Sequence, residues 1–208
     1  IPYSLIKSKY NITDFFRFFL KRCIRIEIPY LLSIVLVIGL TYLATRSSAF
    51  LGNTFSISWQ QVLLHVGYLP KHFGYNWLQE PYWTLEAEFH YYILIGIFLP
   101  LIWKNQLFFT VGMVLALISS FHSSLLVFDF MPFFVFGIAT CAFKLKKIHV
   151  ITFLGLLLLS FFVCFLKGFP IAYAYIAMLT ALLICYGKFE SKLTNFLGKI
   201  SFSLYLLH

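Results

Sequence analysis

Three ionisable side chains stand at the head of one apolar segment, Pro81 to Pro100, and are the strongest candidates for chemistry in the sequence. They are Glu86, Glu88 and His90, and the apolar residues that follow them are numerous enough to enter a bilayer. An ionisable group at the mouth of a membrane helix is expensive to desolvate, so it is by default a functional candidate. A carboxylate or imidazole in a hydrated cavity can move protons when its pKa is shifted towards neutrality.

Helical spacing divides these side chains between two faces. Glu86 and Glu88 would point about 200° apart on a helix, whereas Glu86 shares a face with His90, and Glu88 shares the other with Tyr92. We interpret Glu88 as the acid in the cavity and Glu86 as a solvated acid at the membrane interface. His90 could act as a general base but is more commonly interfacial, as are the other histidines. The histidines lack the spacing of metal ligands, so no metal site is predicted.

A second candidate group is basic. Arg22 and Arg25 in the segment KRCIR are three residues apart and therefore lie on one helix face. They could orient the chain and contact lipid headgroups, or their planar guanidinium groups could clamp the phosphates of a large anionic donor. Asp129 lies near one end of its own apolar run, where it must reach the interface or find a partner.

Composition decides the class of protein. Of the 208 residues, 61% are hydrophobic and only 11% are charged, against about 25% charged residues in soluble domains. The chain is therefore expected to be all-α, a polytopic bundle of transmembrane helices. The net charge of +9 comes from Lys and Arg residues that lie between apolar runs. This distribution favours a role in setting membrane topology, so we predict no nucleic-acid partner. The four cysteines are dispersed, and we interpret them as small buried side chains. The sequence contains no nucleotide-binding glycine loop and no HExxH or GxSxG motif.

The apolar runs predict the elements that position these residues. Asn11 or Thr13 can cap a short amphipathic helix at the headgroup level, and a first span runs over about 28–45 with Pro29 in its first turn. A short interfacial helix is expected at 59–69 and the central span at 82–103. Further spans are expected at about 107–121, 125–143, 148–166 and 169–186, with a last helix from residue 200. We expect residues 1–208 to be one membrane domain, truncated at both ends.

The distribution of basic residues predicts an orientation. If the segment around Arg22 and Arg25 is cytoplasmic, only Arg46, Lys71 and Lys167 of the 16 Lys and Arg residues fall on the outer side. This orientation places the loop before residue 81 and the head with Glu88 on the outer side. The arginine pair would then lie at the opposite membrane surface.

Three sequence blocks, in this order, resemble the acyltransferase 3 family of multi-span membrane acyltransferases. The first is KRCIRIEIP, a basic element followed by a proline. The second is WTLEAEFHYY, in which Glu88 falls on the family's glutamate and Thr84 replaces a serine. The third is GKISFSLYLLH, which carries Ser201, Tyr205 and His208. The resemblance covers essentially the whole chain.

The resemblance implies transfer of an acyl group, commonly acetyl, from acyl-CoA to a hydroxyl of a cell-envelope carbohydrate. Acyl-CoA would be a co-substrate rather than a bound cofactor, and membrane lipids would surround the protein. In this interpretation Glu88 is catalytic, the donor is bound by Arg22 and Arg25, and the acceptor side is supported by Trp83, Thr84 and Tyr92.

The same resemblance implies a multi-pass protein of a bacterial inner membrane. The family's catalytic histidine lies on a first helix that these 208 residues do not contain, so the fragment itself is expected to be inactive. Two alternatives from other functional classes remain open at this point. One is a carrier or flippase for a lipid-linked sugar, and the other is an inactive membrane scaffold.

Overall fold

The computed structural model describes residues 1–46, 57–122, 125–187 and 196, and within these ranges the chain forms helices and no strands. The all-α class is thereby confirmed. The α-helices are α1 (Pro2–Lys7), α2 (Phe15–Thr45), α3 (Trp59–Val66), α4 (Tyr82–Ile102), α5 (Gln106–Ser119), α6 (Leu126–Asp129), α7 (Met131–Lys144), α8 (Val150–Leu166) and α9 (Ile171–Tyr186). Short 3₁₀ turns occur at Ile12–Asp14 and Lys71–Phe73.

Among the described residues, two stretches are long and apolar enough to cross a membrane, Ile12–Thr45 and Tyr82–Ile102. The second is α4, whose 21 residues extend over roughly 31 Å, and it agrees with the predicted central span to within one residue. Helices α5, α7, α8 and α9 are apolar but shorter. The helical class and the apolar character of the elements therefore follow the sequence pattern.

Helix α2 differs from the prediction, because the amphipathic segment and the first span form one helix of 31 residues with Pro29 in its interior. Asn11 caps the preceding turn: its Oδ1 accepts the N–H of Ile12 at 2.8 Å, and Asp14 accepts the N–H of Asn11 at 3.3 Å. The expected break near residue 28 is wrong because neither glycine nor a polar turn interrupts the sequence there. A helix in a membrane protein can accommodate an interior proline.

The span predicted over 125–143 is also divided. Helix α6 ends at Asp129 and α7 begins at Met131, with Pro132 in the first turn of α7. Proline is favoured in a first turn, where the missing N–H has no intrahelical partner to lose. It therefore starts a helix here instead of lying within one.

The described chain forms two compact units. Unit 1 contains residues 1–19 and the chain from 90 to the end of α9, and unit 2 contains residues 20–89 without the undescribed stretch. In unit 1, α7 packs against α5, α8 and α9, around core side chains that are fully buried: Phe109, Val135, Ala139 and Phe153. The ring of Phe153 also stacks on that of Phe143 at 4.5 Å.

The loops of unit 1 gather at the two ends of α5. At its start, Lys147 Nζ donates to the carbonyl of Lys104 at 3.0 Å. At its end, Lys167 Nζ donates to the carbonyl of Ser120 and to Asp129 Oδ1, the latter at 2.8 Å. Asp129 thus has a basic partner. Helices that alternate in direction place successive loops at opposite ends of the bundle in this way.

Candidate functional site

The head of α4 is anchored in unit 2 by aromatic and hydroxyl side chains. Tyr82, the first residue of α4, is fully buried, and its hydroxyl lies 2.8 Å from that of Ser33 on α2. The Tyr30 ring meets the Tyr82 ring edge-on at a centroid distance of 4.9 Å. The candidate site therefore begins against α2 and is not a free helix end.

His65 was predicted to be interfacial, and that prediction is wrong because its side chain is 0% exposed. Its Nδ1 lies 2.7 Å from the carbonyl oxygen of Gln61, and its Nε2 accepts the N–H of Leu78 at 3.1 Å. An imidazole that donates through Nδ1 and accepts through Nε2 is neutral. Burial accordingly lowers the pKa of His65. The residue fixes the loop before α4 to α3, and both of its nitrogens are occupied.

Glu86 is the buried acid of the helix head. It is 1% exposed, and its Oε1 lies 3.2 Å from Nε2 of His72, whose side chain is 41% exposed. Its other oxygen, Oε2, is buried and has no hydrogen-bond partner among the described residues. The interpretation of Glu86 as a solvated interfacial acid is therefore wrong. Glu86 follows Tyr82 by four residues, so it points to the same buried face of α4.

Sequence reasoning missed His72 as a partner for this acid. It lies 14 residues before Glu86, on the 3₁₀ turn Lys71–Phe73. Contacts between a loop and a helix have no sequence period, so spacing could not reveal the pair. The available signal was a histidine in an aromatic-rich loop next to an acid-bearing helix.

Glu88 is half-buried and follows Trp83 and Thr84 in the first two turns of α4. The Thr84 hydroxyl donates to the carbonyl of Pro81 at 2.8 Å. Tyr92 belongs to unit 1, where it is buried with its ring 6.4 Å from that of Phe18. The structure therefore brings Glu88, Trp83 and Thr84 together on one short segment, whereas Tyr92 lies further along the helix.

Tyr68 determines how α4 runs beside α2 in unit 2. Its ring stacks on Tyr30 of α2 and also contacts Phe89 of α4, each at a centroid distance of 5.2 Å. Glu27 of α2 also interacts electrostatically with Tyr68, whereas Ser33, six residues later, contacts Tyr82 at the start of α4. An earlier position on α2 therefore faces a later position on α4, so the two helices run antiparallel.

This register places the arginine pair and Glu88 at one level of unit 2. Arg25 precedes Ser33 by about 12 Å along α2, and Glu88 follows Tyr82 by about 9 Å along α4. Because Ser33 contacts Tyr82, Arg25 and Glu88 differ in height by only about 3 Å. Arg22 is half-buried and Arg25 is exposed. The assignment of these groups to membrane surfaces stays a prediction.

Among the described residues of unit 1, two cavities are lined by neither Glu88 nor the arginines. One, of about 380 Å³, is almost wholly apolar and lies between α4, α5 and α7. The other, of about 320 Å³, is lined among others by Lys9, Tyr10, Trp103 and Lys104. No group of three or more potential metal ligands occurs within the described ranges.

Comparison with known families decides the class of enzyme. The family model Acyl_transf_3, described as an acyltransferase domain, matches residues 3–208. The chain belongs to the acyltransferase 3 family. The suspected family is confirmed over nearly the whole sequence, and membership makes this protein a membrane acyltransferase. No curated protein and no solved structure gives a significant match.

The matched region of this acyltransferase includes the late-helix motif. Ser201, Tyr205 and His208 fall within the match but lie outside the residues that the structure describes. Their role stays a prediction from the resemblance.

Proposed function

We propose that this acyltransferase moves an acyl group, acetyl in the simplest case, from acyl-CoA to a hydroxyl of a cell-envelope carbohydrate. The observation that carries the proposal is the family match over residues 3–208. The arrangement of unit 2 supports it, because a carboxylate-bearing helix head lies level with an arginine pair. We further propose a multi-pass protein of a bacterial inner membrane with the arginine segment reached from the cytoplasm.

The arginines bind the donor. Coenzyme A carries a pyrophosphate and a further phosphate, and a guanidinium fork holds such groups through paired charge-assisted hydrogen bonds. Arg25 is exposed and Arg22 is half-buried on the same helix face. Bound there, the donor's phosphates lie near the level of Glu88, and the flexible pantetheine arm carries the thioester onwards.

Glu88 acts on the acceptor side. It supports the group that removes the proton from the attacking hydroxyl, a histidine from a further helix in the family's scheme. Trp83 offers a flat apolar surface to a sugar ring, and the hydroxyl oxygen of Thr84 offers a hydrogen-bond acceptor. Because donor and acceptor groups share one level, the reacting atoms can meet without the donor crossing the whole bilayer.

Substitution of Glu88 by Gln in the intact membrane protein tests this assignment. Loss of a positioned proton-transfer group costs about 10²- to 10⁴-fold in rate, so acetyl groups on envelope glycans should fall below detection by mass analysis. Glu80→Gln, an exposed acid just before α4, is the matched control. Wild-type acetyl content in the Glu88→Gln strain would contradict the role.

The donor site is tested by combining Arg22→Ala and Arg25→Ala. Hydrogen bonds to charged groups contribute about 1.5–3 kcal/mol each, so the apparent KM for acetyl-CoA should rise at least about tenfold. Arg17→Ala, an exposed arginine on the same helix, should leave it unchanged. An unaltered KM in the double variant would leave these arginines a topological role only.

The family match favours the enzyme over the carrier or flippase considered from the sequence. A protein that moved a fluorescent lipid-linked sugar across vesicles while transferring no acetyl group would reverse that preference.

A further inference from the structure

One cavity of unit 1 combines basic and apolar side chains. Its volume is about 320 Å³, and it lies between the chain segment 5–11 and the end of α4. Lys9 and Lys104 line it, and no Asp or Glu is among the described residues that do so. Ile6 and Pro100 contribute apolar surface. A cavity of this composition suits a molecule that carries both a negative charge and an apolar part.

Tyr10 and Pro100 hold the two walls of this cavity together. Pro100 lies within α4 and has no N–H, so the carbonyl of Gly96, one turn earlier, lacks its usual helical partner. The Tyr10 hydroxyl donates to that carbonyl at 2.9 Å. The Tyr10 ring also meets that of Phe18 edge-on at a centroid distance of 5.5 Å. The cavity is therefore formed between walls that the protein itself fixes.

The backbone of Lys9 has an uncommon conformation. Its φ is +52°, in the left-handed region that favours glycine at the end of a helix. The N–H of Lys9 donates to the carbonyl of Ile6 at 3.0 Å, and the next N–H donates to the carbonyl of Leu5 at 3.1 Å. Glycine would make this turn without strain, so the turn by itself does not require a lysine. The side chain that is present instead lines the cavity.

The other wall lies where α4 ends, at Trp103 and Lys104. The Trp103 ring meets Phe109 edge-on at 5.7 Å. Lys147 Nζ lies 5.8 Å from the centroid of the Trp103 ring and donates to the carbonyl of Lys104 at 3.0 Å, which adds a third positive charge beside the cavity. Tryptophan and lysine next to the end of an apolar span are typical of the level at which lipid headgroups lie.

We propose that this cavity binds the headgroup phosphate of an anionic phospholipid. Lys9 and Lys104 pair with the phosphate, while the glycerol and the first part of the acyl chains lie against Ile6 and Pro100. The volume is near the lower end of the range of about 300–1,000 Å³ for small-molecule pockets, so it suits one headgroup better than a complete coenzyme.

The predicted topology agrees with this ligand. The orientation inferred from the basic residues puts Lys9 and Lys104 on the cytoplasmic side, where anionic lipids attract basic segments of membrane proteins. The site is separate from the proposed donor and acceptor groups, and it depends only on the membrane setting that the family shares.

The test measures thermal unfolding of the intact, detergent-solubilised protein during titration with phosphatidylglycerol, with zwitterionic phosphatidylcholine as the reference. A ligand that binds the folded state raises Tm, so we expect a saturable rise with phosphatidylglycerol and little with phosphatidylcholine. A lysine near an anionic lipid surface changes affinity by about fivefold. Lys9→Gly combined with Lys104→Gln should therefore need at least about tenfold more phosphatidylglycerol for the same rise.

The end of α7 offers a charge-matched control. Lys146 has a φ of +55° and follows α7 with the same hydrogen-bond pattern as Lys9 after α1, but neither Lys146 nor Lys144 lines the cavity. Lys144→Gln combined with Lys146→Gly removes two lysine charges and one left-handed lysine, as the cavity variant does. We expect its titration to match that of wild type. Because glycine adopts this conformation freely, neither glycine substitution should lower the Tm measured without lipid.

Equal weakening in the two double variants would overturn the inference, because it would indicate a general attraction of the basic surface for anionic lipid. An equal rise in Tm with both lipids would overturn it as well. If the cavity variant does not accumulate, the titration of Lys104→Gln alone, at an exposed side chain, decides between these outcomes.

Inorganic phosphate and acetyl-CoA separate the other sources of a phosphate group. If either of them raises Tm through Lys9 and Lys104 and phosphatidylglycerol does not, the cavity is no lipid site and the inference falls. None of these measurements requires turnover. Failure to detect acetyl transfer therefore leaves this inference standing, and failure of the lipid titration leaves the proposed function standing.

Discussion

Replacing His65 by Phe should destabilise the loop before α4, and it tests whether the architecture of unit 2 is as described. The substitution keeps a planar ring between Trp77 and Tyr82, whose centroids lie 5.4 and 6.1 Å from that of His65. It removes the acceptor of the Leu78 N–H and the donor to the Gln61 carbonyl. The Leu78 N–H is then left without its partner in a protein interior.

The magnitude follows from that lost acceptor. Leaving a buried donor unpaired costs about 1–3 kcal/mol, and 1 kcal/mol corresponds to about 2–4 °C in Tm for a chain of this size. Thermal unfolding of the detergent-solubilised protein, followed by tryptophan fluorescence, should therefore show a Tm about 2–12 °C lower. His122→Phe, at an exposed position, is the control and should differ little from wild type.

The same variant should change the pH dependence of stability. Burial lowers the pKa of His65 in the folded state below its unfolded value of about 6.5. Below that pH the unfolded chain binds more protons than the folded chain, so the stability contributed by neutral His65 is present at pH 8 and is lost as the pH falls. The acid-induced drop in Tm should be smaller in His65→Phe than in wild type. A variant with wild-type Tm at pH 8 and a wild-type acid slope would refute the described packing.

Three further changes test other parts of the fold by the same unfolding assay. Gly96→Leu should lower stability by about 1–3 kcal/mol, because a Cβ there would already lie 2.9 Å from the Phe15 ring, and normal stability would contradict that approach. Lys167→Ala should cost about 1 kcal/mol, since its partner Asp129 is 42% exposed and the pair is partly screened; high salt should shrink the difference. Asn11→Ala should cost about 1 kcal/mol through loss of its cap, and restoration by Asn11→Asp would verify the mechanism.

The candidate site shows where reasoning from sequence reached its limit. Glu86 and Glu88 were correctly placed on different faces of one helix, because that follows from the period alone. The choice of which face is buried was wrong for Glu86, since α4 is apolar on all sides and a uniformly apolar helix has no face that its sequence marks as inward. The contact between Tyr82 and Ser33 of α2 turns the helix face that carries Glu86 towards the protein interior.

The amino-acid sequence by itself determined the class of this protein. Its apolar runs require helices, since backbone groups in a bilayer must be satisfied within the segment, and its motifs identify the acyltransferase family. The tertiary structure decided which groups meet. The antiparallel register of α2 and α4 brings Arg25 level with Glu88, and the 3₁₀ turn at Lys71–Phe73 brings His72 to Glu86. These pairings join residues far apart in the chain, and packing fixes them where no local sequence period can.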